Sequence, residues 1–129
     1  MVILDSNIWI ALLNTNDSNH QKAVKIFKGI SKSIILPEYV LLETVTILCQ
    51  EVDKRTADEF IKYTANNKDI EIYGSSVTLL HQITNFYLSQ KNEKLSFVDY
   101  SLLYFSQKMR VETLDVNLKK EINQISKLS

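Results

Sequence analysis

Four acidic residues, Asp5, Glu43, Asp99 and Asp115, stand where a carboxylate is costly. Asp5 ends the apolar run MVIL, and Asp115 ends RVETL. On a helix, Glu43 has Tyr39, Val40, Thr46 and Ile47 as its neighbours three and four residues away, a mostly apolar face. Asp99 has Leu95, Ser96, Leu102 and Leu103. An ionised carboxylate on such a face is expensive unless something neutralises it, and no Lys or Arg lies immediately beside any of the four. Each has a plain structural reading. Asp5 fits a helix cap, Ser96 and Asp99 fit a capping box, Asp115 fits a turn, and Glu43 can reach past its neighbours to water. Together they fit one chemical reading: they converge, and a divalent cation offsets their repulsion. Mg²⁺ prefers oxygen ligands and keeps several waters. One or two such ions, about 3.5–4 Å apart, activate water and stabilise a phosphoryl oxygen and a leaving group. That is the chemistry of phosphodiester hydrolysis.

The acids need a scaffold that brings distant positions to one place. Strand-like runs occur at Met1 to Leu4, in SIIL, in IEIY and in RVETL. Helical patterns separate them. One runs from Asn7 to Leu13, and one from an Asp17 or Ser18 cap to Gly29. A third opens at Pro37 with PEYVLLETVTILCQEV. A Thr56–Glu59 capping box opens the next, Ser75 or Ser76 begins VTLLHQITNFYLSQ, and Ser96 begins FVDYSLLYFSQKM. The tail NLKKEINQISKL is weakly helical. Strands alternating with helices predict an α/β fold with a mostly parallel sheet. In such sheets ligands bind beyond the carboxyl ends of the strands, so Asp5 and Asp115 are expected on the same edge.

At 129 residues, with 45% hydrophobic and 23% charged residues, the chain suits one soluble domain spanning 1–129. A formal net charge of +0 argues against a protein that coats nucleic acid through phosphate charge alone. The lone Cys49 excludes an intrachain disulfide and is expected in the core. With no signal peptide and no apolar run long enough for a bilayer, a cytoplasmic setting is expected. His20 and His81 lack further ligands at zinc spacing and are read as surface or second-layer residues. Trp9 is read as core or dimer surface rather than a base-stacking platform. Lys22, Lys25, Lys28 and Lys32 form a solvated helix face or a basic rim for RNA, as do Lys108, Arg110, Lys119 and Lys120.

The ordered set VILDSNIWI, PEYVLLETVTIL, LSFVDYSLLYFSQKM and VETLDVNL resembles the PIN domain, in particular the small VapC-type toxins, over essentially the whole chain. The resemblance implies a PIN-like single domain: a central, mostly parallel four- to five-stranded sheet with helices on both faces. It implies a Mg²⁺- or Mn²⁺-dependent endoribonuclease, the toxin of a toxin–antitoxin pair. Asp5 and Asp99 match the primary metal ligands, and Glu43 and Asp115 the supporting ones. Ser6, Asn7 and Thr113 match supporting polar positions. Implied partners are RNA, with tRNA as one candidate, a cognate antitoxin and a second copy in a homodimer. Two positions depart from the family pattern: Tyr100 replaces a small residue, and Val116 and Leu118 replace a basic or aromatic pair. Three alternatives stay open. One is a PIN nuclease that processes RNA without being a toxin. Another is a haloacid-dehalogenase-type phosphatase, which wants an acid where Asn7 stands. The last is a PIN-like module that binds without cutting.

Overall fold

The structure, a computed structural model, describes residues 1–128. Strand β1 (Val2–Leu4) leads into α1 (Ser6–Leu13) and α2 (His20–Lys28). Next come β2 (Ile34–Pro37), α3 (Glu38–Glu51), α4 (Lys54–Asn66) and β3 (Ile70–Tyr73). Helices α5 (Val77–Ser89) and α6 (Phe97–Ser106), β4 (Arg110–Glu112) and α7 (Val116–Leu128) complete the order. The four strands form one sheet in the order β3-β2-β1-β4, every pair parallel. The expected mostly parallel sheet is thus wholly parallel, with four strands and no fifth among the described residues.

This order fixes where a ligand can go. The chain steps from β1 to β2 to β3 in one direction, then returns past both to place β4 on the other side of β1. Right-handed crossovers therefore put α1–α4 on one face and α5–α6 on the other. The direction reverses between β1 and β4, which opens a crevice beyond their carboxyl ends. Register is tight there: Leu4 pairs with Glu112, and the Asp5 amide donates to the Glu112 carbonyl at 2.9 Å.

The central strands are apolar because helices cover both faces. Val2, Ile3, Leu4, Ile35 and Leu36 are all buried. Under the first face, Trp9 packs edge-on against Phe27 and Phe60, with ring centroids 6.0 and 5.4 Å away. His20 ties the start of α2 to α1, its Nδ1 donating to the Ala11 carbonyl at 2.7 Å, whereas His81 is exposed.

Three local expectations are corrected. Helix α2 is capped at Asn19 rather than Asp17 or Ser18; Asp17 instead accepts from the Asn19 amide at 2.8 Å in the preceding turn. Helix α4 starts earlier than Thr56, because Asp53 is the cap and accepts from the Thr56 amide at 2.7 Å. Cys49 is exposed rather than core. The Ser96–Asp99 capping box forms as expected, and Ser76 caps α5.

Candidate active site

Asp5 is the last residue before α1 and sits in the crevice between β1 and β4. It is only 3% exposed. Four groups hold it. Oδ1 accepts from the Ser6 amide at 2.7 Å and stands 3.4 Å from the Ser6 hydroxyl. Oδ2 accepts from the Thr113 hydroxyl at 2.7 Å and from Asn7 Nδ2 at 3.3 Å. Asn7 braces the same corner from α1: its Nδ2 also donates to Thr113 Oγ1 at 3.2 Å, and its Oδ1 accepts from the Leu114 amide at 3.1 Å. Residues 5 and 113 thus meet because β1 and β4 are neighbours, and each is oriented by the other's element.

The remaining acids approach from helices. Glu43, on α3, accepts a short hydrogen bond from the Ser6 hydroxyl. That hydroxyl has one proton, so Ser6 binds Glu43 by its hydroxyl and Asp5 mainly by its amide. Asp99, in the first turn of α6, accepts from the Ser96 amide through Oδ2 at 3.0 Å. Its Oδ1 has no hydrogen-bond partner among the described residues. Asp115 is engaged differently. Its amide donates to Thr113 Oγ1 at 3.0 Å, and its Oδ1 accepts from the Leu118 amide at 3.0 Å, which starts α7. Leu118 is fully buried, so it anchors α7 rather than facing a substrate. Tyr100 is buried too; its hydroxyl donates to the Asn92 carbonyl at 2.5 Å and pins the preceding loop.

Hydrogen bonds through Ser6 link Asp5 to Glu43, and electrostatics adds the charge of Asp99. Burial raises the Asp5 carboxyl from 3.8 to about 6. The Thr113 hydroxyl and Ser6 amide oppose the rise, while the negative charges of Asp99 and Glu43 add to it. The ion pairs among the described residues are Lys54–Asp58, Arg55–Glu59 and Arg110–Glu112, so none neutralises this cluster. The crevice therefore holds uncompensated negative charge lined by oxygen atoms, the donor chemistry of a hard cation. Among the described residues no three acids stand close enough together to ligate one ion. That spacing still suits Mg²⁺, which is commonly held by one or two carboxylates with waters and substrate phosphates completing its shell.

The raised pKa of Asp5 has a measurable consequence. Because its folded pKa lies above its unfolded value, the metal-free folded state binds a proton more tightly than the unfolded chain. The resulting stabilisation is full below pH ~3.8 and is lost as pH rises through ~6, by about 3 kcal/mol in all. In EDTA, the midpoint of thermal unfolding of wild type should therefore fall more steeply between pH 4 and 7 than that of Asp5→Asn. Parallel profiles would show that Asp5 carries no such burden.

Most of the basic residues lie elsewhere. Lys32 lines a cleft with Ile34 and Ile70, at the amino ends of β2 and β3, opposite the acids. Arg110 begins β4 at that same edge and pairs with Glu112 at 2.8 Å. Lys119 and Lys120, exposed at the start of α7, follow directly from the acid edge. The face of α3 around Glu43 also differs from expectation. Val40 is buried, but Leu42 and Thr46 are exposed, and an open cleft runs beside the acid. The positions one helical turn from Glu43 are the sequence signal for this cleft, although their composition reads as inward-facing.

Comparison with known proteins places this architecture. No curated protein matches the chain. Among solved structures it is similar to Mycobacterium tuberculosis VapC20, described as a Sarcin-Ricin loop cleaving toxin, with a TM-score of 0.82 at 19% identity. The likeness covers 93% of this chain and 94% of that one, and at such identity it is a likeness of fold. The PIN domain family model matches residues 2–120, from the first strand past the last of the four acids. The chain belongs to the PIN domain family.

Proposed function

We propose that this chain is a divalent-metal-dependent endoribonuclease and the toxin of a toxin–antitoxin pair. The observation that carries the reading is the buried Asp5 in the switch-point crevice, bridged to Glu43 through Ser6 and feeling the Asp99 charge, without a cationic partner. Family membership and the fold shared with a Sarcin-Ricin loop cleaving toxin support it.

Asp5 and Asp99 would hold Mg²⁺ or Mn²⁺, with Glu43 and Asp115 in support. When bound, the cation supplies positive charge to the phosphoryl oxygens and the leaving group and activates a water. Both Asp5 oxygens already accept hydrogen bonds, Oδ1 from Ser6 and Oδ2 from Thr113 and Asn7, so the carboxylate is fixed in one orientation. Thr113 and Asn7 keep that carboxylate from rotating, and Ser6 holds Glu43 at a fixed distance from it. Such supporting contacts typically matter 10–100-fold in metal affinity or activity. The Asp99 oxygen left free by the capping box completes the pair.

The partners that follow are an RNA substrate, an antitoxin and a second copy of the chain. Among the described residues no helix is long and apolar enough to cross a membrane. The test is cleavage of total RNA and of a tRNA pool. Purified protein should cut with Mn²⁺ or Mg²⁺ and be silent in EDTA. Equal cleavage in EDTA, or none with either ion, would overturn the nuclease reading. Growth arrest on expression, relieved by a co-expressed neighbouring protein, tests the toxin role; unhindered growth would leave a nuclease of another role.

A further inference from the structure

We infer that the cleft beside Glu43 seats an unpaired nucleobase of the RNA strand whose phosphodiester lies at the acids. The inference rests on the nuclease reading for its substrate. The cleft, of about 430 Å³, is lined by Tyr39, Leu42, Glu43, Thr46, Ile47 and Val98. It adjoins the acid cluster at two points: Glu43 accepts from Ser6 at the crevice, and Val98 directly precedes Asp99.

Its chemistry suits a base rather than a phosphate. No Lys or Arg lines it, and apart from Glu43 the walls are aliphatic, aromatic or hydroxyl. Leu42 is 59% exposed on its rim, an apolar platform next to uncompensated charge. A base can lay its apolar face on such a surface, and RNA is read by proteins chiefly where bases are unstacked. A polar atom for a base edge is present, whereas the Tyr39 hydroxyl, which has no partner among the described residues, is itself buried. Thr46 Oγ1 donates to the Leu42 carbonyl at 2.8 Å and keeps lone pairs for an incoming amino group. A base locked in a duplex cannot enter a side cleft, so the seat favours single strands and loops.

The experiment is a methyl-resolved NMR titration of the protein in saturating Ca²⁺, a diamagnetic hard cation that offsets the acids, with single-stranded hexauridylate and hexaadenylate, against a duplex of matched length. The Leu42, Thr46, Ile47 and Val98 methyls should shift saturably with the single strands and not with the duplex. Leu42→Ala should weaken single-strand binding about 5- to 10-fold, in keeping with the loss of the apolar surface that a base face would cover. Unmoved cleft methyls, or unchanged affinity in Leu42→Ala, would overturn the inference. So would a dimer in wild type that becomes a monomer in Leu42→Ala by light scattering, which would assign this face to a second copy. Cleavage with Mn²⁺ is scored separately. Silent protein with shifting cleft methyls sinks the nuclease reading and keeps the base seat, whereas active protein with silent methyls does the reverse.

Discussion

Asp5→Asn should lower RNA cleavage by about 10³-fold while the protein remains folded. The substitution keeps the shape of the side chain but removes its charge and turns one acceptor oxygen into a donor. Oδ1 and Oδ2 both accept hydrogen bonds now. The new amide either faces the donors Thr113 and Asn7 or displaces the oxygen meant for the cation. Loss of several kcal/mol of metal-borne charge stabilisation corresponds to a rate factor of roughly 10³. Asp99→Asn should act similarly. Its remaining carbonyl oxygen can still accept from Ser96, so the capping box survives and the loss is chemical. Rates are read by gel under saturating Mn²⁺, and circular dichroism checks the fold. Cleavage close to wild type in both variants would place the chemistry elsewhere on the molecule.

The second large effect is on stability. Trp9→Ala should destabilise the protein by about 3–5 kcal/mol, the usual range for truncating a large buried aromatic. Trp9 is 2% exposed and joins α1 to α2 and α4 through Phe27 and Phe60. Trp9→Phe should cost far less. The indole Nε1 is buried with no hydrogen-bond partner among the described residues, and a buried unsatisfied donor is itself unfavourable by about 1–3 kcal/mol. Removing that donor offsets part of the lost volume. Urea unfolding of the two variants measures both quantities. Equal losses in Trp9→Ala and Trp9→Phe would contradict this account, because neither the retained ring volume nor the removal of the stranded N–H would then have offset anything. Because α1 begins at the residue after Asp5, loosening of Trp9 also loosens the helix start that holds the site.

Much of this architecture is legible in the sequence, and the reasons differ by residue. Asp5 stands out because a carboxylate closing a short buried strand is costly anywhere but at the ligand-binding edge of a parallel sheet. The Ser96–Asp99 box stands out because its two partners are three residues apart. By contrast, the Thr113–Asp5 bond joins residues separated by 108 positions, and only the neighbouring placement of β1 and β4 creates it. Helix α3 misleads for a physical reason. Its sequence EYVLLETVTILCQE is apolar nearly all round, so periodicity does not say which side meets the core. Cys49, Leu42 and Thr46 consequently turn out exposed, and the cleft beside Glu43 emerges only from the packing of the helix. At α4, Asp53 and Thr56 are both competent caps, and the choice falls to the residue whose side chain reaches the free amides. The sequence pattern groups Asp115 with the converging acids. Its Oδ1 also starts α7, and its backbone amide ties it to Thr113, which in turn holds Asp5.

The central claim is that these carboxylates form a cation site. Titration calorimetry of Mn²⁺ and Mg²⁺ into metal-free wild type and into the double variant Asp5→Asn/Asp99→Asn tests it most directly. Saturable binding by wild type that disappears in the double variant is the expected result. Equal binding by both proteins, or none by wild type, would contradict the claim and reduce the acids to caps and turn residues.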